Sequence, residues 1–371
     1  MKTFSIFLTI FMGLNYTLIS QNVAKDFCSC EKQTLESEIL NQKRNIFIYL
    51  PKNYDQDTTK TYPVHYVSDA PATSNLYFDL VRLHAITNNI PQSIVVGLSS
   101  DGRNNNFNIK GNTRQYLNFL QNEVIPHVEA HYRVNNYKIF TGHSAGGNFV
   151  LYTYLQSPEL FNAYIAGSPG PIDQILNFAK TSTGEMTTGD PKFLYSSIGT
   201  EDDTDSLSFK NLQRIFKEIT SKKNQYHFSI NLGENHISNM AVNFQDGFQK
   251  LYKDWKFHLP DSLNIPIRDL LKHHYNHIEK KFGYRPEIDQ WKVIFPIMDQ
   301  LAQRGDFQNA IDILEYCIEL YPESDQAYAF LAKAHFDQGN YKSGKSYLEK
   351  ALDLNPKNKF AQRMKMMIES R

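Results

Sequence analysis

Between residues 44 and 235 the chain alternates short runs of β-branched and aromatic residues with longer amphipathic stretches. The apolar runs are NIFIYLP (45–51), PVHYVSD (63–69), SIVVGLS (93–99), KIFTG (138–142), NAYIAGS (162–168), KFLYSSIG (192–199) and YHFSINLG (226–233). Their length and composition predict strands. Between several of them, stretches such as TRQYLNFLQNEVIPHVEAHY (113–132) and LSFKNLQRIFKEITSKK (207–223) place apolar residues at helical spacing. That alternation predicts an α/β fold, a mainly parallel sheet with helices on both faces.

After about Trp255 the pattern changes. FHLPDSLNIPI is a connector punctuated by proline, and the remainder reads as helix. A shift of 34 residues places Gly305 on Gly339, Asp306 on Asn340, Phe307 on Tyr341, Leu314 on Leu348, Leu320 on Leu354 and Pro322 on Pro356. This period, with Gly-x-Tyr/Phe between two helices and proline after the second, is the tetratricopeptide pattern, here over about residues 290–356. Two repeats bury too little surface to stand alone. They are expected to lean on the helix near RDLLKHHYNHIEKKFG (268–283), on the tail after Pro356, or on the first domain. So short an array offers little concave surface, so a structural or self-associating extension is favoured over a peptide groove, with a protein partner as the alternative.

Length and charge narrow the picture further. A chain of 371 residues exceeds what one hydrophobic core usually fills, so two folded units are expected. Lys and Arg together number 39, as do Asp and Glu, so no net positive field points to nucleic acid or an anionic membrane as partner. The first twenty residues, MKTFSIFLTIFMGLNYTLIS, carry Lys2, then an apolar run, then a polar stretch ending at Ser20. This is the layout of a cleaved signal peptide, and it predicts a secreted or periplasmic protein without an integral membrane span after cleavage. The apolar run is shorter than the roughly 20 residues a bilayer crossing needs. Cys28, Cys30 and Cys317 are badly spaced for bridges, and a Cys-x-Cys pair offers too few ligands for structural zinc. His273 and His277 lack the glutamate of a zinc-protease helix, so no metal and no cofactor is expected. The resulting division is 1–20 signal peptide, 21–257 α/β domain, 258–289 connector and helix, and 290–371 repeats.

The chemistry centres on Gly142-His143-Ser144-Ala145-Gly146, between a predicted strand and a predicted helix. G-x-S-x-G in that context fits a nucleophile elbow, in which the serine sits in a turn so sharp that its neighbours two residues away must lack side chains. The elbow predicts a carboxylate and then a histidine, each after a later strand. Of the seven histidines that follow Ser144, only His236 lies in such a loop. The loop after KFLYSSIG offers Glu201, Asp202, Asp203 and Asp205. Position in the turn favours Asp202, with Glu201 as the alternative acid. His236 would take the Ser144 proton, and the carboxylate would fix the histidine's tautomer. Ala145 N–H is the first oxyanion donor by construction of the elbow, and the second should come from near Asp69 or Ala70. His143 and Arg103 are candidate substrate contacts.

The segments YPVHYVSDA (62–70), SIVVGLSSDGR (93–103), FLQNEVIPHVEAHYR (119–133), IFTGHSAGGNFVLYTYLQSPELFNAYIAGSPG (139–170), IGTEDD (198–203) and GENHIS (233–238) together resemble the putative esterase family, the esterase D-like branch of the α/β hydrolases. The resemblance covers about residues 40–255. It implies a nucleophile at Ser144, a base at His236 and an acid at the third residue after Gly199, which is Asp202. It also implies an exported serine esterase acting on carbohydrate or phenolic esters, or on siderophore lactones. Two alternatives stand beside it: a hydrolase-fold platform whose repeats bind a partner, and an acyltransferase. The chain departs from many relatives at Gly102-Arg103-Asn104-Asn105-Asn106, where they carry R-x-R-D, and at Ala70, where they carry glycine.

Overall fold

A computed structural model describes residues 30–369 apart from 53, 100, 182–191 and 220–224. The signal peptide expected at 1–20 and Cys28 lie outside the described residues. Cys30 is exposed and Cys317 buried, both as free thiols. The chain divides into two compact units, one running to Lys256 and including Lys280–Tyr284, the other comprising Phe257–Glu279 and the chain from Arg285 onward.

The first unit is built on β1 (Glu31–Ser37), β2 (Gln42–Tyr49), β3 (Tyr62–Ala70), β4 (Ile94–Ser99), β5 (Val134–His143), β6 (Ala163–Gly167), β7 (Phe193–Glu201) and β8 (Gln225–Asn235). They form one sheet in the order β1-β2-β4-β3-β5-β6-β7-β8. The pairings β1–β2 and β2–β4 are antiparallel, and all those from β4–β3 to β7–β8 are parallel. Each predicted run is a strand. The unpredicted β1, EKQTLES, is mostly polar and partly exposed, so it lacks the apolar run that marks the others.

The helices of this unit are α1 (Ala72–Ile86), α2 (Arg103–Asn106), α3 (Thr113–Phe119), α4 (Ile125–His131), α5 (Ala145–Gln156), α6 (Ile172–Thr181), α7 (Ser206–Ile219) and α8 (Ser238–Leu251). The single helix expected over 113–132 is broken into α3 and α4 by a π-helical turn, Leu120–Val124. Pro126 lies just inside α4 and has no N–H to donate, and a wider turn accommodates the lost bond. A second π turn, Gln290–Ile294, precedes Pro296 in the same way. Helix α5 is buried from Gly146 to Leu155, which explains a sequence apolar on every face. Its Phe149 stacks on Phe107 at 5.2 Å and meets Phe140 edge-on at 5.3 Å. Burying one such ring stabilises by roughly 1.5–3 kcal/mol, and these rings hold the start of α5 against the sheet.

The second unit is helical: α9 (Ile267–Phe282), α10 (Phe295–Gln303), α11 (Phe307–Leu320), α12 (Asp325–Asp337), α13 (Tyr341–Leu354) and α14 (Lys359–Glu369). The 34-residue period is visible in its end groups. Ser324 and Asn358 accept the N–H groups of Ala327 and Ala361, while Asp306 and Asn340 accept those of Asn309 and Ser343. Gly305 and Gly339 take φ values of 77° and 76°, a left-handed turn that glycine adopts without steric cost. The repeats lean on helices at both ends. Leu271 and Tyr275 of α9 join the cluster of Met298, Leu314 and Leu331, and Ala361 and Met364 of α14 cover Ala332 and Leu348. Among the described residues no helix is long and apolar enough to cross a membrane.

Candidate active site

Strand β5 ends at His143, and Ser144 then takes φ 60° and ψ −124° before α5 begins. For a residue with a side chain this conformation costs on the order of 1–3 kcal/mol, so the surroundings must impose it. They do so through hydrogen bonds: Ser144 N–H donates to Gly167 O at 2.9 Å, and Ser144 O accepts from Asn148 N–H at 3.0 Å. The glycines of the motif are there for space. A Cβ on Gly142 would sit 2.5 Å from Ser68 Oγ and 2.6 Å from the Gly146 backbone, and one on Gly146 would sit 2.0 Å from Ser68 Oγ. A Cβ on Gly147 would meet Gly167 O at 2.7 Å, where α5 crosses β6.

His236 lies in the turn between β8 and α8. Asn235 Oδ1 accepts the N–H groups of Ile237 and Ser238, and Ser238 Oγ accepts Asn235 N–H, which fixes the turn. His236 Nδ1 is 3.0 Å from Asp202 Oδ1. Of the four acids at the end of β7 and in the loop after it, Asp202 alone makes this contact. Its side chain is fully buried, whereas Glu201, the last residue of β7, and Asp203 are exposed. Burial by itself would raise the Asp202 carboxyl, but hydrogen bonds from His236, Ser168 and Thr204 outweigh it and hold the group well below the usual carboxylate range. The same contact with Asp202 raises His236 above the usual imidazole value, against the opposing effect of its own burial.

Ser144, Ala145, His236 and Arg103 line one cavity of about 820 Å³, a volume suited to a small organic ligand. Its wall also carries Phe107 and Ile172, and the carboxylates Asp173, Asp203 and Asp205. Arg103, at the start of α2, donates from Nε to Asp69 Oδ1 at 2.7 Å. Asp69 itself takes φ 61°, and burial raises its carboxyl in spite of the arginine.

Two expected residues fall elsewhere. His143 is buried beside His236, with the two rings 4.8 Å apart, and is absent from the cavity wall. Burial, then the neighbouring His236, push it down to about 4, so it is neutral at physiological pH. Ala70, the expected second oxyanion donor, is buried in β3 opposite Ser99 and does not line the cavity. Asp69 comes closer to the elbow, with Oδ2 3.0 Å from where a Cβ on Gly146 would lie.

The residues that sequence reasoning missed are those behind Asp202. Ser168 donates to Asp202 Oδ2 and accepts from Asn239 Nδ2 at 2.9 Å, and Thr204 N–H donates to Asp202 Oδ1 at 2.9 Å. A signal for Ser168 was present. It follows the carboxyl end of β6, next to the strand bearing the elbow, and open α/β sheets place their sites at such ends.

Comparison with known proteins agrees with this architecture. Residues 37–263 match the family described as "Putative esterase", and residues 301–365 match a tetratricopeptide repeat. The chain is 28% identical over 160 residues to the ferri-bacillibactin esterase BesA of Bacillus subtilis, covering 35% of this chain and 55% of BesA. The match thus spans about half of that relative. An uncharacterised protein from Capnocytophaga ochracea has a similar structure, with TM-score 0.67, 17% identity, and coverage of 87% of this chain and 93% of that one. An IroE-like serine hydrolase from Shewanella oneidensis is also similar, with TM-score 0.61, 19% identity, and coverage of 79% and 100%. The chain belongs to the putative esterase family: the family match spans most of its sheet unit, a mostly parallel sheet flanked by helices, and a tetratricopeptide repeat follows it.

Proposed function

We propose that this protein is an exported serine esterase in which Ser144 is the nucleophile, His236 the general base and Asp202 the residue that orients and charges the base. The observation that carries the reading is the 3.0 Å contact of His236 with a buried Asp202, made where His236 and the elbow serine share one cavity. With Nδ1–H turned to the carboxylate, Nε2 is free to accept the Ser144 proton as Oγ attacks the ester carbonyl. The oxyanion receives the Ala145 N–H, the donor that the elbow itself places beside Ser144 on the cavity wall. His236 then protonates the departing alcohol, and water repeats the sequence on the acyl-enzyme to release the acid.

Carbohydrate or phenolic esters and siderophore lactones are the proposed substrates, the last supported by the resemblance to BesA. Export rests on the pattern of residues 1–20, and a protein partner or self-association through the repeats rests on the tetratricopeptide match. The test is fluorophosphonate labelling of the purified protein, mapped by mass spectrometry, together with turnover of acetylated or feruloylated sugars and a catecholate trilactone. Ser144 is expected to carry the label, and Ser144→Ala and His236→Ala to abolish turnover. Folded protein that is not labelled at Ser144, or that turns over esters equally well as Ser144→Ala, overturns the assignment.

A further inference from the structure

We propose that Ser168 and Asn239 are positioning residues for this site, forming with Asn231 a one-way relay of hydrogen bonds that ends on the Asp202 carboxylate and holds it in register with His236. The proposal rests on the esterase reading above.

The direction of the relay follows from its end groups. Asn239 Nδ2 lies near three acceptors: Ser168 Oγ at 2.9 Å, Ser197 O at 3.2 Å and Ser197 Oγ at 3.3 Å. Asn239 Oδ1 accepts from Asn231 Nδ2 at 2.7 Å. Rotating the amide by half a turn would set its oxygen against the Ser197 carbonyl, so Nδ2 must face Ser168. Ser168 Oγ therefore receives a hydrogen bond from Asn239 and spends its own proton on Asp202 Oδ2. The other carboxylate oxygen takes His236 and the Thr204 N–H. Every donor in the chain points toward the carboxylate, which favours its ionised form and leaves it no freedom to rotate.

Two further observations speak for a role beyond packing. Ser168 and Asn239 are fully buried, and burying polar groups costs free energy unless their partners are matched. Ser168 also takes φ 40°, a left-handed conformation that glycine would adopt with less strain, yet the position carries a hydroxyl. Asn239 is three residues beyond His236 at the start of α8, so the relay ties the acid to the helix that follows the base.

The charged and titratable groups that act on His236 are Asp202 and Asp203 from the loop after β7, Arg103 from α2 and His143 from the end of β5. Ser168 bears on it only through Asp202. Removing the Ser168 hydroxyl leaves more negative charge on the oxygen facing Nδ1–H, which strengthens the imidazolium and raises the His236 pKa.

The experiment measures full-chain kinetics on p-nitrophenyl acetate against pH, with an NMR titration of His236, for the parent, Ser168→Gly, Asn239→Ala and the double variant. Glycine is used because it suits the local φ, and a thermal melt confirms folding. Ser168→Gly is expected to lower kcat by about tenfold to a hundredfold with KM unchanged. Its acidic limb and the His236 titration are expected to move upward by about half a pH unit. The double variant should fall within about twofold of Ser168→Gly, because both changes break one chain. Folded variants with parental kcat and an unmoved His236 titration overturn the relay, as do losses that multiply in the double variant. A parent that fails to turn over esters overturns the esterase reading instead, and the NMR titration still decides the relay.

Discussion

At the scale of single residues, the proposed chemistry turns on how Asp202 is surrounded. Because His236 must be neutral to take a proton, and because Asp202 raises its pKa above the ordinary imidazole value, kcat/KM should rise with pH through a midpoint above about 6.5. Asp202→Asn removes the main support and leaves burial and Arg103, which lower the histidine, opposed only by Asp203, so the midpoint should move down. The amide also permits the wrong tautomer, and kcat should fall by about 10⁴. A pH–rate profile of the two proteins checks both expectations, and a variant whose midpoint stays put or rises counts against Asp202 as the partner. That Ser144 and His236 share one cavity was legible in the sequence because motif and chain order restrict them. The acid was ambiguous by residue type, since four carboxylates share one loop; burial separates Asp202 from Glu201 and Asp203, and burial is a property of the fold. Ser168 and Asn239 were missed because their partners are far along the chain: Ser168 meets Asp202 across 34 residues and Asn239 across 71.

At the scale of elements, apolar runs and turn glycines were sufficient to locate seven of the eight strands and the repeat period, because buried strands and paired helices both need regular apolar faces. What escaped were elements whose patterning is set by neighbours. β1 is a polar strand held by pairing with β2, and the break between α3 and α4 reflects a local proline rather than a change of period. The repeats allow a direct measurement of one turn. Around Gly339 there is open space for a Cβ, so Gly339→Ala pays only the conformational cost of φ 76°. That cost is about 1–2 kcal/mol for an alanine in the left-handed region. Thermal unfolding of the full chain should show the helical unit melting earlier for Gly339→Ala and Gly305→Ala, while Gly339→Asn, a residue that tolerates this region, should lose less. Equal losses for alanine and asparagine would point to a cause other than backbone conformation.

At the scale of the whole molecule, the sheet unit contains histidines that resist protonation. His65 is fully buried, with Nδ1 2.7 Å from the Tyr77 hydroxyl, and burial pushes it down to about 3. His143 stands at about 4 for related reasons. In the unfolded chain both take protons near pH 6.5, so between there and their folded values the unfolded state binds more protons. Stability is therefore complete above about pH 6.5 and falls as pH drops through that window, by up to about 1.4 kcal/mol per pH unit for each such histidine. His236 acts in the opposite sense, stabilising below about pH 6.5 and losing that contribution as pH rises through its raised value. Denaturant midpoints at pH 7 and pH 5 should differ more for the parent than for His65→Gln, which keeps a hydrogen-bonding group without the titration. An unchanged difference would remove His65 from the account.

The positive φ angles at Asp69, Ser144 and Ser168 have an evolutionary reading. All three residues sit at the carboxyl ends of β3, β5 and β6, and each would relax if it became glycine. Drift toward a more easily folded backbone and selection for the proposed chemistry therefore act in opposite directions at Ser144 and Ser168. Lineages in which selection on turnover lapses should lose these side chains early and keep the sheet, so glycine at 144 in an otherwise similar sequence would mark a descendant that has given up the proposed chemistry, and glycine at 168 one in which it has weakened.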